Sequence, residues 1–317
     1  MYEINDNYLN YTDYIRKNTK EPEKEYASNF PLYFYEYFLY KIQELGIITL
    51  TYDDLFHGCY NTNHKSFYEH EFACWRASRM DKEKIYLLIQ HDVDNVPPFT
   101  DRMLKMEEAY GVKSNVFIFN KRYSSGGGID ESYKIDHPFL QKMTKKGFVV
   151  GYHQNAYALA NFDMKAAVSQ YNGDVLALRE FHDIKYVVPH GGAGREVNGK
   201  KISNVDVSMP QDFCGNLRWV YNRYGPKFSS RWSDGGLRKA RDPERIEKYN
   251  IVDNFLLTLK KGTRNFCLVH PQRWGFNVDT DANPLLSKEE WYRRLCTTPI
   301  EAEIKVKESF LSKIKFW

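Results

Sequence analysis

Residues 85–95 read IYLLIQHDVDN. An unbroken apolar run followed at once by chargeable side chains is the pattern of a strand buried on both faces whose C-terminal end opens into a site. A helical stretch at residues 98–110 comes next, stops at Gly111, and leads into a second apolar run at 115–119. The unit reads as strand, crossover helix, parallel strand. The same rhythm extends outward. A Gly-rich loop (124–128) precedes a helix at 137–146 closed by Gly147, then an apolar run at 148–153. A helical segment at 159–181 precedes a run at 185–190, and a strand is expected near 219–221. A helix at 245–261, capped by Gly262, precedes the last run at 265–270. Upstream, residues 31–45 carry Leu32, Tyr35, Phe38, Leu39, Ile42 and Leu45 at helical spacing and stop at Gly46; residues 47–52 read as a strand. Residues 2–26 are polar and read as a surface arm, and 57–84 as loop and helix. Strands alternating with helices of about 10 to 20 residues predict an α/β fold with parallel strands, open or closed into a barrel.

Composition removes several function classes. The chain has 317 residues, 27% charged and 42% hydrophobic, enough for a sizeable core in one large domain or two ordinary ones. Its 45 basic and 41 acidic side chains give a net charge of +4, a mixed surface, so nucleic acid is not an expected partner. No run approaches the roughly 18 to 20 apolar residues of a membrane-spanning helix, so no integral membrane segment is expected. Residues 1–20 show no apolar stretch after a basic start, and a cytoplasmic location is the expectation. Cys59, Cys74, Cys214, Cys267 and Cys296 are odd in number and widely spaced, which predicts reduced, mostly buried thiols. Aromatic residues make up 16% of the chain and serve either core packing or stacking on a ligand.

The polar residues of interest share one placement. Asp92 and Asp94, His153, His190 and His270 each end an apolar run: IYLLIQHDVD, FVVGYH, KYVVPH and NFCLVH. In parallel α/β folds the C-terminal strand ends form one face, where sites are assembled from residues distant in sequence. Singly, each has a plainer reading as a turn, a cap or a hydrogen-bonded structural residue; together they predict one shared site. His57, His64, His70 and His182 lack this placement, and His137 precedes Pro138 at a helix start, so these five read as structural. Carboxylate plus imidazole suits Zn²⁺ or a similar divalent ion with a position left open for water. In Asp92-Val93-Asp94 the alternation of a strand aims both carboxylates to one side, one to bind metal and one to act as base.

These residues resemble the polysaccharide deacetylase family, carbohydrate esterase family four, in its branch with an HDVD first motif. The resemblance runs from about Gly46 to Trp274 through ELGIITLTYDDL, HDVDN, GVKSNVFIF, GFVVGYH, PHGG, WSDGG and LVHPQRWG. It implies a distorted (β/α)7-type barrel over residues 46–275, with an N-terminal arm and helix (1–45) packed on it and a C-terminal extension (276–317). It also implies removal of an acyl group, chiefly acetyl, from an amino sugar with the help of a divalent metal ion, Zn²⁺ first among candidates. Asp92 matches the family's catalytic base, Asp94 a metal ligand and His153 the first histidine of its HxxxH metal motif. His270 matches the late general acid, Asp234 a residue orienting it, and the turn at His190 and Gly191 the loop whose amide holds the oxyanion.

One position departs from the pattern: Tyr157 stands four residues after His153, where the second metal histidine is expected. Either the third ligand comes from elsewhere, with His190 leading, or the metal site is weak or missing. Arg195, Arg273 and Trp274 join Tyr157 and Gly191 as candidate substrate contacts, with Trp232 a further stacking candidate. The expected partner is an N-acylated sugar, sugar nucleotide or glycan, in the making of a surface glycan. Two alternatives stay open: a catalytically silent barrel that binds a glycan or a partner enzyme, which Tyr157 favours, and a carbohydrate O-deacetylase or other linear-amide hydrolase.

Overall fold

A computed structural model describes residues 32–56, 80–95, 97–122, 129–191, 195–197, 199–206, 217–221, 226–234, 251–256 and 258–274. The N-terminal arm, the extension at 276–317, four of the five cysteines, and residues 245–250 and 257 of the helix expected at 245–261 lie outside the described residues.

The chain is α/β. Helix α1 (Leu32–Glu44) leads to strand β1 (Ile48–Leu50) and the short helix α2 (Tyr52–Leu55). Strand β2 (Tyr86–Val93), helix α3 (Pro97–Ala109) and strand β3 (Asn115–Ile118) form the unit read from residues 85–119. Then follow α4 (His137–Lys145), β4 (Val149–Gln154), α5 (Ala156–Leu159), α6 (Met164–Arg179) and β5 (Tyr186–Pro189). A hairpin of β6 (Arg195–Val197) and β7 (Lys200–Ile202) stands apart from the main sheet. Strands β8 (Arg218–Trp219) and β9 (Ser230–Ser233), helix α7 (Ile251–Leu256) and β10 (Arg264–Val269) complete the order, and a 3₁₀ turn, Pro271–Trp274, ends it.

All pairings in the main sheet are parallel, in the order β8-β5-β4-β3-β2-β10-β9. β2 is the axis. One edge pairs β10 along residues 86–91; the other pairs β1 at 86–88 and β3 at 90–93. The sheet curls into a half-barrel, and β8 and β9 do not pair with each other among the described residues.

Strand alternation sorts the side chains onto the two faces of this curl. Leu88, Phe117, Val149, Tyr186, Val188 and Phe266 fill the concave face together with Tyr52 and Phe56 of the α2 region. Leu87, Ile89, Cys267 and Val269 point outward under α1, where Tyr35, Phe38, Leu39 and Ile42 cover them. The aromatics of the N-terminal helix are thus packing residues. Val116, Ile118, Val150 and Val187 point outward beneath Leu104, Leu140, Met143 and Val175. Alternation also sends His91 away from the concave face, to Glu107 Oε1 at 2.7 Å, while Gln90, Asp92 and Asp94 face inward.

Most helix stops are as expected: Gly111 and Gly147 adopt φ of 68° and 94°, which only glycine adopts without strain. Two elements differ. The helix expected over 159–181 is broken, because Asn161 and Phe162 take positive φ and Asp163 re-caps the chain by accepting from the Ala166 N–H. Strand β9 has no apolar run to announce it; its sequence is SRWS, and pairing with β10 defines it.

Candidate metal centre

The concave face ends at its C-terminal rim in a layer of chargeable groups. Asp94 follows the last residue of β2, His153 is the fifth residue of β4, and His190 follows β5. Asp94 Oδ1 lies 3.1 Å from His153 Nε2 and 3.7 Å from His190 Nε2, and ligand atoms of all three lie within 4.8 Å of one another. Two donors about 2.0–2.1 Å from a tetrahedral Zn²⁺ stand roughly 3.3 Å apart, so the spacing fits one such ion. One carboxylate and two imidazoles also fit its ligand preference and leave a position for water.

Each donor is held from behind. His153 is buried, and its Nδ1 faces the Val188 carbonyl oxygen at 3.4 Å, which turns Nε2 toward Asp94. The Phe119 ring lies flat on His153 (centroids 4.9 Å apart, 15° between planes) and meets His190 edge-on at 5.3 Å and 88°. This buried ring fixes the two imidazoles at 87° to each other. The His190 backbone N–H donates to the Gln154 carbonyl at 2.7 Å, and Asn204 Nδ2 donates to the His190 carbonyl at 3.2 Å. Asn204 Oδ1 accepts from the Ala158 N–H at 2.9 Å, tying the turn that bears His190 to α5.

The charges around the centre are polarised. Burial works against ionised Asp94, but the hydrogen bond and charge of His153, with His190 and His270, hold it well below the usual carboxylate range. Burial and the neighbouring His153 charge push His190 down to about 4, so it stands neutral with a lone pair to offer. On His153 burial lowers the pKa, yet Asp92 and Asp94 more than offset it and the net direction is up.

Asp92 adjoins the triad, its Oδ2 3.9 Å from His153 Nε2. Its Oδ1 accepts from Gln90 Nε2 at 2.8 Å, and Gln90 Oε1 accepts from the Tyr52 hydroxyl at 2.7 Å. Burial raises the Asp92 pKa, opposed by the charges of His153 and His270. Across the rim, His270 Nδ1 bonds Asp234 Oδ1 at 2.6 Å. Burial works against a charged His270, but Asp234 dominates, with help from Asp92 and Asp94, and the imidazole is pushed up to about 9.

Of the residues named from the sequence, Asp92, Asp94, His153, His190, Asp234 and His270 come together. The others are placed as follows. Tyr157 is half-buried against the side chains around Val150, Val175 and Val187, edge-on to Phe162, and the third member of the candidate triad is His190, the leading choice from the sequence. Trp274 is not a stacking platform: it is 1% exposed, and its indole N–H donates to Asp234 Oδ2 at 3.0 Å. Arg273 likewise turns inward, with Nη1 3.6 Å from Asp234 Oδ1. Trp232 stacks on Phe255 at 4.9 Å, in the packed layer beneath α1. Gly191 is exposed beside His190, with open space where a Cβ would be, and Arg195 lies in the β6–β7 hairpin. Gln90, Phe119, Asn204 and Gln272 are additions. Gln90 shares the strand face of Asp92 two residues earlier, and Phe119 ends its apolar run, signals that mark them in hindsight; Asn204 and Gln272 carry none. No helix among the described residues is long and apolar enough to cross a membrane. Compared with known proteins, the chain matches no protein family, no curated protein and no solved structure.

Proposed function

We propose that the protein is a metal-dependent hydrolase that removes an acyl group, chiefly acetyl, from an amino sugar, on a distorted (β/α)7-type barrel. The observation that carries the reading is the convergence of Asp94, His153 and His190 on one ion-sized space, with Asp92 and the His270–Asp234 pair nearby. The three donors would hold a divalent ion, Zn²⁺ by its ligand set, which when bound polarises a carbonyl and acidifies water. Asp92 removes a proton from the attacking water as its oxygen bonds to the acyl carbon. His270, kept protonated by Asp234, gives a proton to the departing nitrogen as the carbon–nitrogen bond breaks. His190 beside Asp94 and His153 supports this reading over the silent barrel that Tyr157 favours.

The substrate is an N-acylated sugar, free, nucleotide-linked or within a glycan. The test is acetate release from N-acetylated and O-acetylated sugars by the Zn²⁺-loaded protein and by Asp92→Asn. The expected result is release from the N-acetylated sugars, lost on chelation, and about 10²–10⁴-fold slower in Asp92→Asn while bound metal persists. Release that is unchanged by chelation or by Asp92→Asn contradicts the reading; preference for O-acetylated sugars moves it to an esterase.

A further inference from the structure

We infer that Gln272 keeps Asp94 a one-oxygen metal ligand and thereby preserves an open coordination position. The inference rests on reading Asp94, His153 and His190 as a metal centre.

The two oxygens of Asp94 have different surroundings. Oδ1 faces His153 Nε2 and His190 Nε2, whereas Oδ2 accepts from Gln272 Nε2 at 3.2 Å. A carboxylate with both oxygens free can close on an ion with both; an N–H on Oδ2 draws that oxygen away from the ion and favours binding through Oδ1 alone. The carboxamide has one sensible orientation, since turning it would set Oε1 against a carboxylate oxygen. It is also rigidly carried. Gln272 sits in the 3₁₀ turn Pro271–Trp274, whose two end residues are buried, and the Arg273 N–H donates to the His270 carbonyl at 2.9 Å. Trp274 pins the turn to Asp234.

The second observation concerns the other end of the amide. Among the described residues Gln272 Oε1 is shielded from solvent and has no hydrogen-bond partner, a costly state for a buried acceptor. By contrast, Gln90, which holds Asp92, is satisfied at both ends. Gln272 is therefore poorly accounted for by stability, and its contact with Asp94 is what it accomplishes there.

The experiment uses the full chain, loaded with Zn²⁺ or Co²⁺, as parent, Gln272→Met and Gln272→Leu, the second guarding against misfolding of the first. In the variants Zn²⁺ affinity falls about 10–100-fold, the range for lost outer partners of ligands. The visible absorption of bound Co²⁺ weakens as Asp94 engages with both oxygens and the coordination number rises. Loss of affinity alone would fit a merely structural role, so an unchanged Co²⁺ spectrum overturns the inference. Independently of any variant, metal X-ray absorption on the Zn²⁺-loaded parent should show a single carboxylate oxygen; two overturn it. A parent that binds neither ion overturns the metal reading itself, a result distinct from either of these.

Discussion

His270 and Asp234 are joined twice: the imidazole Nδ1 lies 2.6 Å from Asp234 Oδ1, and the His270 backbone N–H donates to Asp234 Oδ2, also at 2.6 Å. Asp234 is buried, and it further accepts from the Trp274 indole and faces Arg273 Nη1. A carboxylate so held is a fixed negative charge beside the ring. Its effect is a histidine pushed up to about 9.

Asp234→Asn removes that charge and keeps the side-chain shape. The His270 pKa, read by NMR titration, should fall from about 9 toward the ordinary 6.5, and the basic limb of the pH–activity profile should move with it. The stability consequence has a definite sign. Because the folded value lies above the unfolded one, the pair's contribution is full below about pH 6.5 and is lost as pH rises through about 9. The Tm gap between parent and Asp234→Asn should be widest in acid and close toward pH 9; a gap that widens with pH contradicts the pairing.

His190→Ala should lower Zn²⁺ affinity by more than about 100-fold, since even outer-shell partners are worth 10–100-fold. Tyr157→Phe should leave it unchanged, because that ring packs against Phe162 and the core. Competitive titration with a chelating dye reads both. The reverse pattern would return the third ligand to the position four residues after His153.

Gly151 sits on the concave face opposite Phe117, where a Cβ would fall 2.3 Å from Phe117 Cε1 and 2.6 Å from Cδ1. Gly151→Ala should cost about 1–3 kcal/mol in urea unfolding, the usual range for overpacking. Phe117→Leu in the same background should recover part of that loss. Strict additivity of the two substitutions would mean that they do not meet.

Where the sequence was legible, one physical rule was at work: a parallel strand buried on both faces must be apolar until it reaches the rim. That rule exposes Asp92, Asp94, His153, His190 and His270, because each interrupts an apolar run at its C-terminal end. It fails for β9, whose sequence SRWS is defined by its neighbour β10 rather than by its own hydrophobicity. It also fails for aromatic and basic residues near the site. Trp274 and Arg273 look like substrate contacts by type, yet the tight turn after His270 folds them back onto Asp234. Gln272, between them, carries no motif and comes into view only through its contact with Asp94.

The central claim is that Asp94, His153 and His190 hold one ion. A crystal of the protein grown with Zn²⁺, with diffraction recorded on both sides of the zinc absorption edge, tests it most directly. The account predicts a single anomalous peak about 2.0–2.2 Å from Asp94 Oδ1, His153 Nε2 and His190 Nε2. An empty triad at saturating Zn²⁺, or a peak bound by other residues, would contradict it.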